Sequence, residues 1–244
     1  MKLLIDAGNT RIKWALSDES GWLRSGALQS GQASELSGLF AGSQDIRKIW
    51  ASNVAGEEVA KHIRNIGAVP PERIHFIAAQ ETQCGVRNGY SNAAQLGSDR
   101  WAALIAAWHL VQGKCLVVNC GTAITIDALS GKGEFLGGLI LPGVELMQLS
   151  LASATSQLKS GLAVPGQGKY AQFPLNTADA IFSGAIQAAS GAVQRQHALL
   201  DDDDAPVVLS GGAAGLLQLN LPLRAVDNLV LQGLLLISQE ANAR

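Results

Sequence analysis

One short pattern occurs twice in this chain, and that repetition constrains the fold more than any other feature. Leu3-Leu4-Ile5-Asp6-Ala7-Gly8-Asn9-Thr10-Arg11-Ile12-Lys13-Trp14-Ala15-Leu16 opens the sequence. Leu116-Val117-Val118-Asn119-Cys120-Gly121-Thr122-Ala123-Ile124-Thr125-Ile126-Asp127-Ala128-Leu129 repeats it near the middle. Each copy reads as an apolar strand, a tight polar turn with glycine at its centre, and a returning strand.

Helices follow both copies. Strand-like runs are 2–6, 12–16, 22–28, 48–52 and 73–77 in the first half, with helix-like runs at 33–40 and 57–66. Gly67 stands where a helix C-cap is expected, and Pro70-Pro71 marks a turn. Ser98-Asp99-Arg100 opens an alanine-rich helix to about Leu110, with Gly113 after it. The second half restarts with strands at 115–119, 123–128 and 135–141. Then come a helix from Pro142-Gly143 to about Leu158, a glycine- and proline-bearing loop over 159–175, and a long helix capped by Asn176 or Thr177 and running to about Leu199. A strand at 207–209, a further helix after Ser210-Gly211-Gly212-Ala213, and a last helix over 228–240 complete the reading. The pattern predicts a duplicated α/β architecture with domains at residues 1–114 and 115–244, packed closely because no low-complexity linker separates them.

Composition narrows the function classes. The chain has 244 residues, 48% hydrophobic and 16% charged, enough apolar content for a packed core. Eighteen Lys and Arg face twenty Asp and Glu, so there is no basic excess to neutralise a nucleic acid backbone. No run approaches the roughly 18 apolar residues of a membrane span, and Asp6 interrupts any leader-peptide core. Three cysteines without CxxC spacing fit a reduced, cytoplasmic setting.

The chemistry-bearing residues sit at the turns. Two glycine hairpins facing each other would place glycine N–H groups and threonine hydroxyls on both sides of one cleft, a geometry suited to a nucleoside triphosphate. Asp6, at a strand end, can hold Mg²⁺ directly or through water. Gly8 removes a side chain that would block a phosphate, Asn9 and Thr10 offer donors, and Arg11 and Lys13 add positive charge. The plain alternative is an ordinary turn; the second copy, with Thr122 as its best donor, shifts the balance toward function. In Gly97-Ser98-Asp99-Arg100 the carboxylate is either a helix-dipole partner or an acceptor for a substrate hydroxyl proton, with Arg100 as clamp for a substrate carboxylate. Ser210-Gly211-Gly212 would let an adenosine lie against backbone, or is a plain strand-to-helix turn. Asp201 to Asp204 read as a solvated loop, Cys120 as a small packed residue, and the four histidines lack metal-ligand spacing. No GxxxxGK[ST], GxGxxG or GxSxG occurs.

Five segments together, DAGNTRIK at 6–13, GSDRW at 97–101, NCGTAITID at 119–127, GGLILPG at 137–143 and NTADAI at 176–181, make the chain similar to the type III pantothenate kinases. These belong to the superfamily of actin, sugar kinases and heat-shock-chaperone ATPases, and the similarity runs over essentially the whole length. The resemblance implies two ribonuclease-H-like domains with mixed sheets flanked by helices, a homodimer, and ATP-dependent phosphorylation of pantothenate on the way to coenzyme A. It implies that Asp6, Ala7, Gly8, Asn9, Thr10, Arg11, Ile12 and Lys13 carry the ATP phosphates, joined by Thr122. It implies that Gly97, Ser98, Asp99 and Arg100 bind pantothenate with Asp99 as proton acceptor, that Tyr90 is a substrate-contacting aromatic, and that Thr177 contacts substrate near the dimer interface.

One position departs from the family, which usually has aspartate where this chain has Asn119. An amide oxygen can coordinate K⁺ or NH₄⁺ but supplies no negative charge, which weakens the case for a monovalent-cation requirement. Asp6 is intact, so Mg²⁺ is retained as the expected cofactor. Phosphoryl transfer depends chiefly on positioning and charge neutralisation, so Asp99 would orient the alcohol as much as take its proton. Two other readings use the same fold: a sugar kinase, or a regulatory or partner-binding protein that has lost catalysis.

Overall fold

The computed structural model describes residues 1–18, 21–42, 45–67, 69–154 and 168–243. In chain order the elements are β1 (Lys2–Ala7), β2 (Arg11–Asp18), β3 (Gly21–Gln29), α1 (Glu35–Leu39), β4 (Lys48–Asn53), α2 (Glu57–Arg64), β5 (Ile74–Phe76), β6 (Thr82–Gln83), β7 (Val86–Arg87) and α3 (Ser98–Val111). There follow β8 (Cys115–Cys120), β9 (Ala123–Leu129), β10 (Phe135–Pro142), α4 (Val144–Ala154), α5 (Thr177–Ala198), β11 (Val207–Ser210), β12 (Leu223–Ala225) and α6 (Leu229–Ala243).

Two compact units form. The first comprises Met1–Gln112 with Gly133–Phe135 and Asn228–Arg244; the second comprises Gly113–Lys132 and Leu136–Asp227. The break near 112/113 falls close to the expected boundary at 114/115. The last helix, however, belongs with the first unit rather than with the half that precedes it. Its apolar face supplies the reason: Leu229, Val230, Leu231, Leu234 and Ile237 are buried, and α6 packs along α3 and over β1 and β4. The helices approach so closely at Gly233 that a Cβ there would run into the Ala102 carbonyl.

In the first unit the strand order is β3-β2-β1-β4-β5. β1 pairs antiparallel with β2 and parallel with β4, and β2 with β3 and β4 with β5 continue the same senses. Leu3, Ile5 and Ala7 alternate onto one face of β1, where they meet Ile49 and Ala51 of β4, Leu36 of α1 and Val59 and Ile63 of α2. Leu4 is equally buried, because α3 and α6 cover the other face; a strand covered on both sides reads as a continuous apolar run. α2 begins with Glu57 and Glu58 and ends with Lys61, His62 and Arg64, the charge order that suits a helix dipole.

The second unit repeats this plan as β10-β9-β8-β11-β12, with β8 antiparallel to β9 and parallel to β11, and β11 parallel to β12. Leu116, Val118, Ile124 and Ile126 pack under Ala185, Ile186, Ala189 and Val193 of α5. Duplication extends to register. Asp6 stands opposite Ser52, and Asn119 stands opposite Ser210. The Ala7 carbonyl accepts from the Val54 amide at 3.0 Å, and the Cys120 carbonyl from the Ala213 amide at 3.1 Å.

The expected strands all form, each extended by one to three residues except β5, which is shorter. Other local features differ from the expectation or go beyond it. α3 runs to Val111, one residue past its expected end, and closes on Gln112 in the left-handed region (φ 50°), with Gly113 after it. The helix expected after Ala213 is only a 3₁₀ turn at Ala214–Leu216. The short strands β6, β7 and β12 carry too few residues for a period to show. The segment expected as the end of the 142–158 helix, and Gly161, Pro165 and Gly166 of the expected loop, lie outside the described residues.

Candidate active site

β1 runs apolar until Asp6, and Asp6 is the first polar side chain at its C-terminal end. Antiparallel pairing sets Lys13 of β2 opposite it, and parallel pairing sets Ser52 of β4 on its other side. The Ser52 hydroxyl, fully buried, lies 2.8 Å from that of Ser98, the first residue of α3. This fixes the start of α3 beside the end of β1 and brings Asp99 toward Asp6. The electrostatics record the approach. Burial first, and the Asp99 charge second, push the Asp6 carboxyl up to about 7, with Lys13 opposing.

The turn after Asp6 is closed by its own glycine. The Gly8 amide donates to the Arg11 carbonyl at 3.0 Å, and the Ser30 hydroxyl caps the Gly8 carbonyl at 2.6 Å. Gly8 N–H is thus spent within the hairpin, against the expectation that glycine amides face a ligand. Asn9 and Thr10 form the exposed tip, Arg11 is exposed, Lys13 is half-buried, and Ala7 and Ile12 are core residues. Gly121 likewise donates to the Ala123 carbonyl at 3.0 Å, so Thr122 alone forms the tip of a turn one residue tighter.

On α3, the Asp99 carboxylate accepts from the Arg100 amide at 2.8 Å, within the first helical turn where backbone donors are otherwise orphaned. Arg100 is only 6% exposed. Its guanidinium donates to the Tyr90 hydroxyl at 3.1 Å and lies 5.8 Å from the ring centres of both Tyr90 and Phe135. Tyr90 is itself pinned: its amide donates to Asn88 Oδ1, whose own amide donates to the Glu81 carbonyl. The first unit therefore brings together Asp6, Lys13, Ser98, Asp99, Arg100 and Tyr90, and Gly97 supplies the N-cap of α3.

The other candidates lie in the second unit. Asn119 is half-buried at the end of β8, across from Thr125. Thr122 is exposed, and Gly143 presses on it: the Gly143 amide donates to the Thr122 carbonyl at 2.8 Å, and a Cβ at Gly143 would lie 2.6 Å from that same oxygen. This explains the final glycine of the 137–143 segment. Thr177 is exposed in the first turn of α5, which Asn176 caps by accepting from the Asp179 amide at 2.9 Å. The Cys120 thiol is buried and pushed up to about 12, as befits a packed residue. Asp201 to Asp204 are exposed, and His197 is a core residue on the Ala205 carbonyl.

Two functional neighbours escaped the sequence reading, Ser52 and Phe135. Each is distant in sequence from the residue it touches, and only strand register or the return of the 133–135 segment to the first unit reveals it. Among the described residues no group of three or more His, Cys, Asp or Glu side chains converges as a metal site. The donor set fits Mg²⁺ in another way. A buried carboxyl made harder to ionise by a second carboxylate is a local excess of negative charge, and one or two carboxylates with substrate phosphates are the usual Mg²⁺ ligands. Asp6 would hold such an ion.

A family model described as type III pantothenate kinase matches residues 2–198. The type III pantothenate kinase of Nitrosospira multiformis is 46% identical over 98% of this chain and 92% of its own length. That of Aromatoleum aromaticum is 44% identical over 98% of both. A protein from Campylobacter jejuni assigned to the Baf family of transcriptional activators superposes with a TM-score of 0.61 at 23% identity, covering 99% of this chain and all of that one. MreB5 of Spiroplasma citri, solved with ADP, gives 0.55 at 9% identity over 98% and 96%. At such identities the solved structures speak for the fold alone, that of the actin-like ATPases. The curated relatives and the family model, over nearly the full length, show that the chain belongs to the type III pantothenate kinase family.

Proposed function

We propose that Asp99 and Arg100 present the primary hydroxyl of pantothenate to ATP, and that Asp6 and the two hairpin turns hold the triphosphate. The observation that carries this reading is the 2.8 Å contact between the Ser52 and Ser98 hydroxyls, which sets the start of α3 and Asp99 beside Asp6 at the mouth of the glycine turn. Burial first and the Asp99 charge second raise the Asp6 carboxyl to about 7. The reaction is ATP-dependent phosphorylation of pantothenate, a step of coenzyme A biosynthesis, as in the family.

Each residue has a task its position allows. Asn9 and Thr10 at the first tip, with Arg11 and Lys13, donate to phosphate oxygens; Thr122 does so from the second. Asp6 would hold Mg²⁺, which would supply neutralisation of the phosphate charge. Asp99 accepts a hydrogen bond from the hydroxyl, aims its oxygen at the γ-phosphorus, and takes the proton as the new O–P bond forms and the bond from the γ-phosphorus to the bridging oxygen breaks, with ADP leaving. Arg100, held by Tyr90, binds the carboxylate at the far end of pantothenate, which fixes the distance between the ends of the substrate. Ser98 and Gly97 shape the floor between them. Asn119 offers a monovalent cation an amide oxygen without charge, so K⁺ or NH₄⁺ is a weak contributor here.

We also assign a homodimer in a cytoplasmic setting. In support, the second unit leaves Leu151 and Leu175 exposed on a groove of about 790 Å³ lined by α4, residues 174–176 and α5, with Thr177 in its wall. No described helix is long and apolar enough to cross a membrane. The test of the function is ADP release measured with and without pantothenate. Pantothenate-dependent release supports it; equal release with a panel of sugars, or none with any acceptor, contradicts it.

A further inference from the structure

We infer that Phe135 is a positioning residue for the grip on the substrate carboxylate: its ring, with that of Tyr90, holds the Arg100 guanidinium in the orientation that meets pantothenate. The inference rests on the assignment of Arg100 above. Phe135 lies at the start of β10, in a three-residue segment that belongs to the first unit although the chain on either side does not. It is 1% exposed.

Three contacts make the segment a fixed mount. The Arg87 amide of β7 donates to the Gly133 carbonyl at 2.9 Å, and the Arg87 guanidinium pairs with Glu134. Gly133 packs on the Trp108 indole of α3. Phe135 then meets Tyr90 with ring centres 5.3 Å apart and a 40° tilt, and the Arg100 guanidinium lies 5.8 Å from each ring. A guanidinium within about 6 Å of an aromatic face is attracted by the ring quadrupole, more strongly where water is excluded. Arg100 is in that situation, buried and touching two rings. The Tyr90 hydroxyl accepts from one guanidinium nitrogen, and the rings restrict rotation of the rest. Binding the carboxylate then costs less side-chain ordering. Phe135 does not itself touch the substrate in this account; it acts through Arg100.

The test compares Phe135→Leu, Arg100→Lys and the double variant in the same enzyme, with substitution of Phe135 by ring-fluorinated phenylalanine as a shape-preserving probe. Phe135→Leu is expected to raise the KM for pantothenate about 5- to 30-fold. The KM for ATP and kcat at saturating pantothenate stay near wild type, and progressive ring fluorination produces a graded rise in the same KM. In the Arg100→Lys background the leucine substitution has little further effect. An unchanged pantothenate KM, a fall in kcat with both KM values unaltered, effects that multiply in the double variant, or indifference to fluorination would each overturn the inference. If Arg100→Lys leaves the pantothenate KM unchanged, the assignment of Arg100 fails and this inference with it. If Arg100→Lys raises it and the Phe135 variants do not, the inference alone fails.

Discussion

The hydroxyls of Ser52 and Ser98 lie 2.8 Å apart, and this one hydrogen bond ties the strand beside Asp6 to the helix that carries Asp99. Neither serine supplies charge. Their bond fixes the spacing of two carboxylates that come from distant parts of the chain.

Ser52→Ala removes that tie and leaves Ser98 with one partner fewer. A neutral hydrogen bond is worth about 0.5–1.5 kcal/mol, so both stability and turnover should fall by that order, about 2- to 10-fold in kcat. Denaturant titration and steady-state kinetics check the pair. A kcat equal to wild type would show that Asp99 is placed without Ser52.

The raised pKa of Asp6 makes stability depend on pH. A carboxyl at about 7 in the folded chain and near its ordinary value unfolded favours folding while protonated. That contribution is full below about pH 4 and is lost as pH rises through 7. In protein without nucleotide or divalent cation, Asp6→Asn should therefore be more stable than wild type at pH 8, by on the order of 2–4 kcal/mol, with the two converging toward pH 4. Chemical denaturation at both pH values reads this directly. Equal stability at pH 8 would mean that the carboxylate is not penalised where it sits.

The turn tips and the first turn of α3 were legible in the sequence because their signals are local. A glycine between two apolar runs says hairpin, and Ser-Asp-Arg before an alanine-rich stretch says helix start. The repetition of Asp6-Ala7-Gly8 as Asn119-Cys120-Gly121 also gave the duplicated architecture, which the matching strand orders bear out. What the sequence hid depends on pairing at long range. Ser52 becomes relevant only through its parallel register with Asp6, and Phe135 only because three residues return to the first unit. α6 read as a helix, yet nothing local says that its Gly233 meets Ala102. The glycine amides differ from the expectation for a related reason: the Gly8 and Gly121 amides close their own hairpins on the Arg11 and Ala123 carbonyls.

Gly143 should be intolerant of any side chain. A Cβ there would run into the Gly121 carbonyl oxygen and lie 2.6 Å from that of Thr122, so Gly143→Ala must displace the second turn or the start of α4. Overpacking of this kind costs about 1–3 kcal/mol. The expected result is a folded but less stable enzyme with a raised KM for ATP and a smaller change for pantothenate. The opposite split would remove Thr122 from the nucleotide side.

Asn119→Asp places a negative charge at a half-buried strand end. Potassium activation should appear or strengthen in the variant, read as kcat against KCl at constant ionic strength. Identical flat titrations in both forms would detach this position from cation binding.

In the proposed reaction the Asp99 carboxylate on α3 steers an alcohol into a triphosphate held beside Asp6. Single-turnover phosphoryl transfer to pantothenate in wild type and Asp99→Asn, with ATP affinity measured in parallel, tests it most directly. Transfer in the variant should be slowed by about 10²- to 10⁴-fold with ATP affinity retained. Transfer at the wild-type rate in Asp99→Asn would contradict it.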